Sequence, residues 1–325
     1  MYDVITLGSG TVDVFVNTDV ELMSKKRGKL NTKMMAYPLG SKILIKDIKH
    51  EVGGGGTNTA VAFSRFGLKT GWVGKVGNDE HASHILEYLR EENIDFLGTR
   101  SKKGDSGYSV ILDSMAHDRT ILTFKGENDN LGYEEIKKSS MKTRWFYFCS
   151  MIGKSFSTQK KISTYAKKNN IKIAYNPSSY QAKQGIKNIG PILKNTTVLI
   201  MNREEAGYLV GEGSTQDMCR RLYKTGPDII IITNGSDGAI CYNGTDMIHV
   251  KSHKIKVLET TGAGDAFASS FIGALIKTND IKKSLKIALT NAQSVIQHFG
   301  AKNILLDWNK VVKKEKSKPV RLVIE

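Results

Sequence analysis

From Thr70 onward the chain alternates between short runs of β-branched and aromatic residues and longer stretches with an apolar residue every three or four positions. Strand-like Thr70–Val76 is followed by a helical pattern over Glu80–Glu92. The rhythm resumes with Trp145–Phe148, a helix over Ser157–Lys168, then Ile171–Tyr175, Thr197–Met201 and Ile229–Thr233. Strands joined through helices pair in parallel, and a parallel sheet is covered on both faces. The pattern therefore predicts an α/β fold, a three-layer αβα sandwich with a mostly parallel central sheet. Two intervals break the rhythm. Val14–Glu51 carries Val14-Phe15-Val16 and Ile43-Leu44-Ile45, and Ser106–Phe124 carries Tyr108–Leu112 and Thr120–Thr123 around a turn near His117-Asp118. These read as strand pairs of one small sheet outside the helix-covered core. The expected division is a core of 1–13, 52–105 and 125–325, with 14–51 and 106–124 in the small sheet.

A chain of 325 residues, 40% hydrophobic and 25% charged, has enough apolar surface for a sizeable core. Cys149, Cys219 and Cys241 form no CxxC pair, which argues against a zinc site or a disulfide framework and for a reducing compartment. The N-terminus lacks a basic leader, and no apolar run approaches the ~18 residues that span a bilayer. A cytoplasmic protein without a membrane partner is expected. The net charge of +16, with Lys25-Lys26-Arg27 and the lysines at 313, 314, 316 and 318, raises nucleic-acid binding. The basic residues are scattered and not interleaved with aromatics, and a positive field equally attracts nucleotide phosphates, so no nucleic-acid partner is expected. His81 and His84, at i and i+3, lack a third metal ligand and read as a helix face. The basic segment from Asn309 reads as a solvated surface element.

The stretch Glu259-Thr260-Thr261-Gly262-Ala263-Gly264-Asp265 runs straight into the helical pattern Ala266–Ile276. Gly262 and Gly264 permit close backbone approach, and a helix N-terminus has unpartnered amides and a dipole that favour an anion such as a phosphoryl group. Asp265 at the helix entrance is either a cap or a carboxylate free to take a proton from an attacking hydroxyl. Gly8-Ser9-Gly10-Thr11-Val12-Asp13 starts like a dinucleotide fingerprint but has Asp13 where the last glycine belongs. Gly153-Lys154-Ser155 resembles the end of a P-loop, yet Phe148 stands at the leading glycine. Gly53-Gly54-Gly55-Gly56-Thr57-Asn58 is a linker or a functional turn, and the apolar helix face that follows at once favours function. Asn202 and Glu205 have the spacing of a capping box. Thr233-Asn234-Gly235-Ser236-Asp237-Gly238 reads as a hairpin turn or a nucleotide loop.

Together these stretches resemble the ribokinase-like, or phosphofructokinase-B, family of sugar and nucleoside kinases, in family order and over roughly Met1–Ala301. The resemblance implies Asp265 as catalytic base and the Gly262, Ala263 and Gly264 amides as anion hole. It implies that Asp13, Gly54, Gly55 and Asn58 bind the acceptor, Gly55 standing where ribokinases often carry Lys. Asn202, Thr233, Gly235, Gly238 and Asn291 would bind ATP, and Glu205 would organise Mg2+ through water. Glu259, Thr261 and Gly300 would hold K+, with Glu259 where the family usually has Asp. The small sheet would be a lid that closes over the sugar and pairs with a second subunit in a homodimer. The expected reaction is transfer of the γ-phosphoryl group of ATP to a hydroxymethyl of a ribose- or fructose-like substrate. A nucleoside kinase of the same family and a non-catalytic nucleotide-binding protein are the alternatives.

Overall fold

The computed structural model describes residues 1–18, 21–27, 30–113, 119–253, 255, 257–258, 262–297 and 305–324. The chain opens with β1 (Tyr2–Leu7), β2 (Thr11–Thr18), β3 (Glu21–Arg27), β4 (Leu30–Ala36) and β5 (Ile45–Gly53). Then come α1 (Gly55–Arg65), β6 (Thr70–Val73), β7 (Lys75–Val76), α2 (Glu80–Glu91), β8 (Ile94–Phe96), β9 (Thr99–Arg100), β10 (Gly107–Asp113) and β11 (Arg119–Phe124). Regular alternation follows through β12 (Thr143–Phe148), α3 (Gly153–Lys168), β13 (Lys172–Tyr175), α4 (Ser179–Ala182), α5 (Gly185–Leu193), β14 (Val198–Asn202), α6 (Arg203–Val210), α7 (Thr215–Tyr223) and β15 (Ile229–Thr233). The chain closes with β16 (Ala239–Tyr242), β17 (Met247–Lys251), α8 (Ala263–Thr278), α9 (Ile281–Val295), α10 (Trp308–Ser317) and β18 (Arg321–Ile324).

Ten strands form one sheet in the order β18-β17-β16-β15-β14-β13-β12-β1-β6-β8. From β15 to β8 all neighbours are parallel, and the β16, β17 and β18 edge is antiparallel. The near-continuous apolar strands follow from cover on both faces. Along β12, Trp145 and Tyr147 enter the layer of α1, α8, α9 and α10, while Phe146 and Phe148 enter that of α3, α5, α6 and α7. β14 repeats the split with Val198 and Ile200 against Leu199 and Met201. Each such side chain is almost fully buried, which stabilises by roughly 1.5–3 kcal/mol over the exposed state.

β2 pairs in parallel with β10 and antiparallel with β5, and with β11 these make a four-stranded second sheet. This sheet reaches past 14–51 on both sides, because pairing starts at Thr11 opposite Gly107 and Gly53. The residues of the His117-Asp118 turn lie outside those described. α3 starts at Gly153 rather than Ser157, so Gly153-Lys154-Ser155 is its first turn. The basic C-terminal segment is not merely solvated: Val311 and Val320 are buried in the core and β18 extends the sheet edge. Its apolar residues are few among many lysines, which hides their shared face.

β1 lies between β6, which the chain reaches after β5 and α1, and β12, which it reaches later on the other side. Ligand clefts in open α/β sheets form at such a switch point.

Candidate active site

The cleft is built where β1 hands over to β2 and β5 hands over to α1. Ser9 O accepts from Gly56 N at 3.0 Å, and Gly8 O accepts from Trp72 Nε1 at 3.1 Å. The glycine run is thus a tight crossing, not a linker. Gly54 has φ +95°, and a Cβ there would lie 2.5 Å from Ser9 O. A Cβ on Gly53 would lie 1.8 Å from Asp13 Oδ2, so the bare backbone at 53 makes room for that carboxylate. Asp13 also accepts from Thr11 Oγ1 at 2.8 Å.

α1 carries Asn58 toward the first turn of α8. Asn58 Nδ2 lies 3.4 Å from Asp265 Oδ2, across 207 residues of sequence, and Asn58 Oδ1 is buried with no partner among the described residues. Asp265 lines a cavity of about 210 Å3 with Ser9, Gly55, Asn128 and Cys149. Burial first pushes both the Cys149 thiol and the Tyr147 hydroxyl well above their ordinary pKa values; the Asp265 charge comes next for Cys149, and Cys149 and then Asp265 for Tyr147. Asn128, which the sequence reading did not single out, holds the β1–β2 turn in place. Its Oδ1 accepts from Gly10 N at 3.0 Å and its Nδ2 donates to Gly10 O at 2.9 Å.

Ala263 and Gly264, the two residues before Asp265, line a different cavity of about 460 Å3. It is walled by Val257, Phe267, Leu289 and Ile296 and edged by Thr233, Gly235 and Gly238. Gly235–Asp237 is a 3-10 turn between antiparallel β15 and β16, so the hairpin and the nucleotide loop are one structure. Gly238 has φ +90° and a Cβ there would meet Val250 O at 2.0 Å. Among the described residues, a Cβ on Gly264 would meet nothing within 4 Å, so their packing does not demand glycine there and leaves space in front of it for a ligand. His253, whose Nε2 is buried without a partner among the described residues, and Gln293 add polar groups to this cavity. Neither belongs to a sequence motif, so only their position in the fold brings them forward.

Asn202 and Glu205 form a capping box: Asn202 Oδ1 accepts from Glu205 N at 2.8 Å and Glu205 Oε2 from Asn202 N at 3.0 Å. Asn202 is in register with Thr233 on the neighbouring strand end, although only Thr233 lines the cavity. Glu205 is 8% exposed, and burial raises its carboxyl above the ordinary value against the lowering effect of the Asn202 amide. No group of three or more His, Cys, Asp or Glu converges as a metal cage among the described residues. A single carboxylate suits magnesium, which keeps several waters and takes other ligands from phosphates. Asn291 does not reach the cavity. It is fully buried, donating to Ser270 Oγ at 2.8 Å and accepting from Leu306 N at 3.0 Å, and so ties α9 to α8 and to the chain before α10. Glu259, Thr261 and Gly300 lie outside the described residues.

A mostly parallel sheet with helices on both faces, a second small sheet and a cleft at the switch point define the ribokinase-like α/β fold. The model of the pfkB family carbohydrate kinases matches residues 25–308, and the chain belongs to that family. It is 30% identical over 247 residues to an uncharacterized sugar kinase of Archaeoglobus fulgidus, covering 74% of this chain and 97% of that protein. The ribokinase of Thermotoga maritima superposes with a TM-score of 0.82 at 20% identity, covering 97% of this chain and 100% of that one. The nucleoside kinase of Methanocaldococcus jannaschii superposes with a TM-score of 0.78 at 23% identity, covering 97% and 98%. The protein is therefore an enzyme, a kinase of the carbohydrate kinase class, and the family implies ATP and a divalent metal. Among the described residues no helix is long and apolar enough to cross a membrane.

Proposed function

We propose that the protein transfers the γ-phosphoryl group of ATP to a hydroxymethyl oxygen of a ribose- or fructose-like sugar. The observation that carries this reading is the division at the start of α8, where Ala263 and Gly264 face one cavity and Asp265 faces the other. ATP fits the larger, apolar-walled cavity, with its phosphates reaching the α8 amides and the open space before Gly264. The acceptor fits the smaller one, which Asp265 lines; Asp13 and Asn58 stand outside its lining, Asn58 against Asp265, and would bind vicinal hydroxyls from there, a role that Asn58 Oδ1, buried and without a partner among the described residues, supports.

Asp265 takes the proton of the attacking hydroxyl as its oxygen bonds to the γ-phosphorus. The bond to the ADP oxygen breaks, and the developing charge is held by the Gly262, Ala263 and Gly264 amides. Glu205 would hold magnesium through water, and the ion supplies charge neutralisation on the phosphates. K+ would be bound by Glu259, Thr261 and Gly300. The second sheet would act as a lid that excludes water, which prevents idle hydrolysis of ATP. Its exposed Ile45, Ile48, Ile121, Leu122 and Phe124 support pairing with a second copy.

The test is an acceptor panel of free sugars and nucleosides with ATP and magnesium, run with and without K+, following ADP release. A sugar as preferred acceptor supports the reading. Preference for a nucleoside replaces the acceptor by a nucleoside, and ATP binding without turnover of any acceptor removes the catalytic reading.

A further inference from the structure

The acceptor cavity has a charged edge that the transfer reaction does not use. Lys125 precedes and Asp129 ends the 3-10 turn Gly126–Asp129, and both line the cavity that contains Asp265. The turn is held on several sides. Asn128 clamps Gly10, Asn128 O accepts from Ser155 Oγ at 2.6 Å, and Glu127 N donates to Asp105 O at 2.9 Å. Lys75 adds ion pairs to Glu127 at 3.3 Å and to Glu135 at 2.8 Å. With the backbone so constrained, the side chains at 125 and 129 are offered to the cavity from a rigid support.

Among the described residues, neither the Asp129 carboxylate nor the Lys125 ammonium has a hydrogen bond or an ion pair. The Lys125 ammonium instead lies 5.3 Å from the centroid of Tyr180. Asp129 is partly buried, and burial raises its carboxyl despite the opposing influence of Lys125. A partly desolvated carboxylate without donors is costly, and ligand hydroxyls are the donors that relieve it. Tyr180 is the only aromatic ring lining this cavity among the described residues. A nucleobase gains most by stacking on such a ring, and here it would have to share the ring with the Lys125 ammonium that lies over it.

Resting on the assignment of this cavity to the acceptor, we propose that Lys125 and Asp129 form its specificity edge and select a free polyhydroxylated sugar over a nucleoside. Asp129 accepts hydroxyl hydrogen bonds from the end of the sugar opposite the reacting hydroxymethyl, and Lys125 donates to a ring, carbonyl or carboxylate oxygen there.

Equilibrium binding of D-ribose, D-fructose and adenosine to the full chain, with magnesium and a non-hydrolysable ATP analogue, tests this without requiring turnover. The wild type is expected to bind one of the two sugars more tightly than adenosine. Asp129→Asn and Lys125→Met should each weaken that sugar by roughly tenfold or more, the range expected for a hydrogen bond to a charged group. Binding of the ATP analogue, measured on the same samples, should stay within about twofold and confirms that the variants are folded. Tighter binding of adenosine, unchanged sugar binding in both variants, or no binding of either sugar overturns the proposal. These failures are distinct from failure of the catalytic reading, which would appear as undiminished turnover in Asp265→Asn whatever the binding results.

Discussion

Replacing Asp265 by Asn separates the proposed chemistry from everything else the residue does. The substitution keeps the size of the side chain and an oxygen able to accept from Asn58 Nδ2, a contact that at 3.4 Å is already long. It removes one negative charge from the first turn of α8, where a carboxylate is worth about 0.3–1 kcal/mol. Folding stability should therefore fall by less than about 1 kcal/mol. ATP affinity should stay within about twofold, because Ala263 and Gly264, not Asp265, line the larger cavity. Loss of a general base costs about 10²–10⁴-fold in rate, or roughly 2.7–5.4 kcal/mol of barrier. Steady-state ADP release at saturating sugar and ATP, beside a calorimetric titration of the ATP analogue, reads both quantities. A variant that turns over within tenfold of the wild type would refute Asp265 as the base. A variant that loses ATP binding as well as rate would refute the division of labour at the start of α8.

Gly264→Ala should raise folding stability by about 0.5–1 kcal/mol, since the added Cβ meets nothing and alanine suits a helix, yet lower turnover by filling the phosphate space; equal turnover would leave that space without a role. Gly238→Ala should do the opposite for stability, costing about 1–3 kcal/mol through its positive φ and the clash with Val250 O, and it should weaken ATP; an unchanged denaturation midpoint would contradict the loop geometry. The Glu205 carboxyl is raised by burial, so its protonated form is favoured in the fold, and stability is lost as pH rises from about 4.5 through the raised value. Glu205→Gln should then be more stable than the wild type at neutral pH, converge with it below that window, and lose magnesium-dependent turnover; parallel pH curves for the two proteins would be the contrary result. Tyr147→Phe removes a buried hydroxyl that has no partner among the described residues and should raise stability by about 1 kcal/mol; in urea denaturation, a loss of that size would be the contrary result.

The alternation of strand and helix was readable because its period is local: residues i, i+2 and i, i+3/i+4 carry it without knowledge of distant partners. The tail was misjudged for the same reason. Trp308, Val311, Val320 and Leu322 make their case only when α9 and β17 are beside them. Asp265 at a helix entrance and Gly238 in a tight turn of positive φ are legible because such local geometry imposes residue types on its own neighbourhood. Asn128, Asp129 and His253 were not, since each works from an irregular segment whose place depends on what packs against it. Asn291 shows the converse. Its position in the chain suggested the nucleotide, but α8 and the chain near Leu306 absorb both ends of its amide.

The chain's own order of residues determined the layered α/β class, the glycine-framed start of α8 with its carboxylate, and the capping box at Asn202 and Glu205, because each is written in spacings of a few residues. Only the tertiary structure decided that Asn58 meets Asp265 across 207 positions, that Ala263 and Gly264 face one cavity while Asp265 faces another, and that Lys125 and Asp129 edge the second of these. Those relations are set by which strands lie side by side and by the pitch of one helix turn at a cleft, and no window along the sequence shows which distant elements form the walls those residues face.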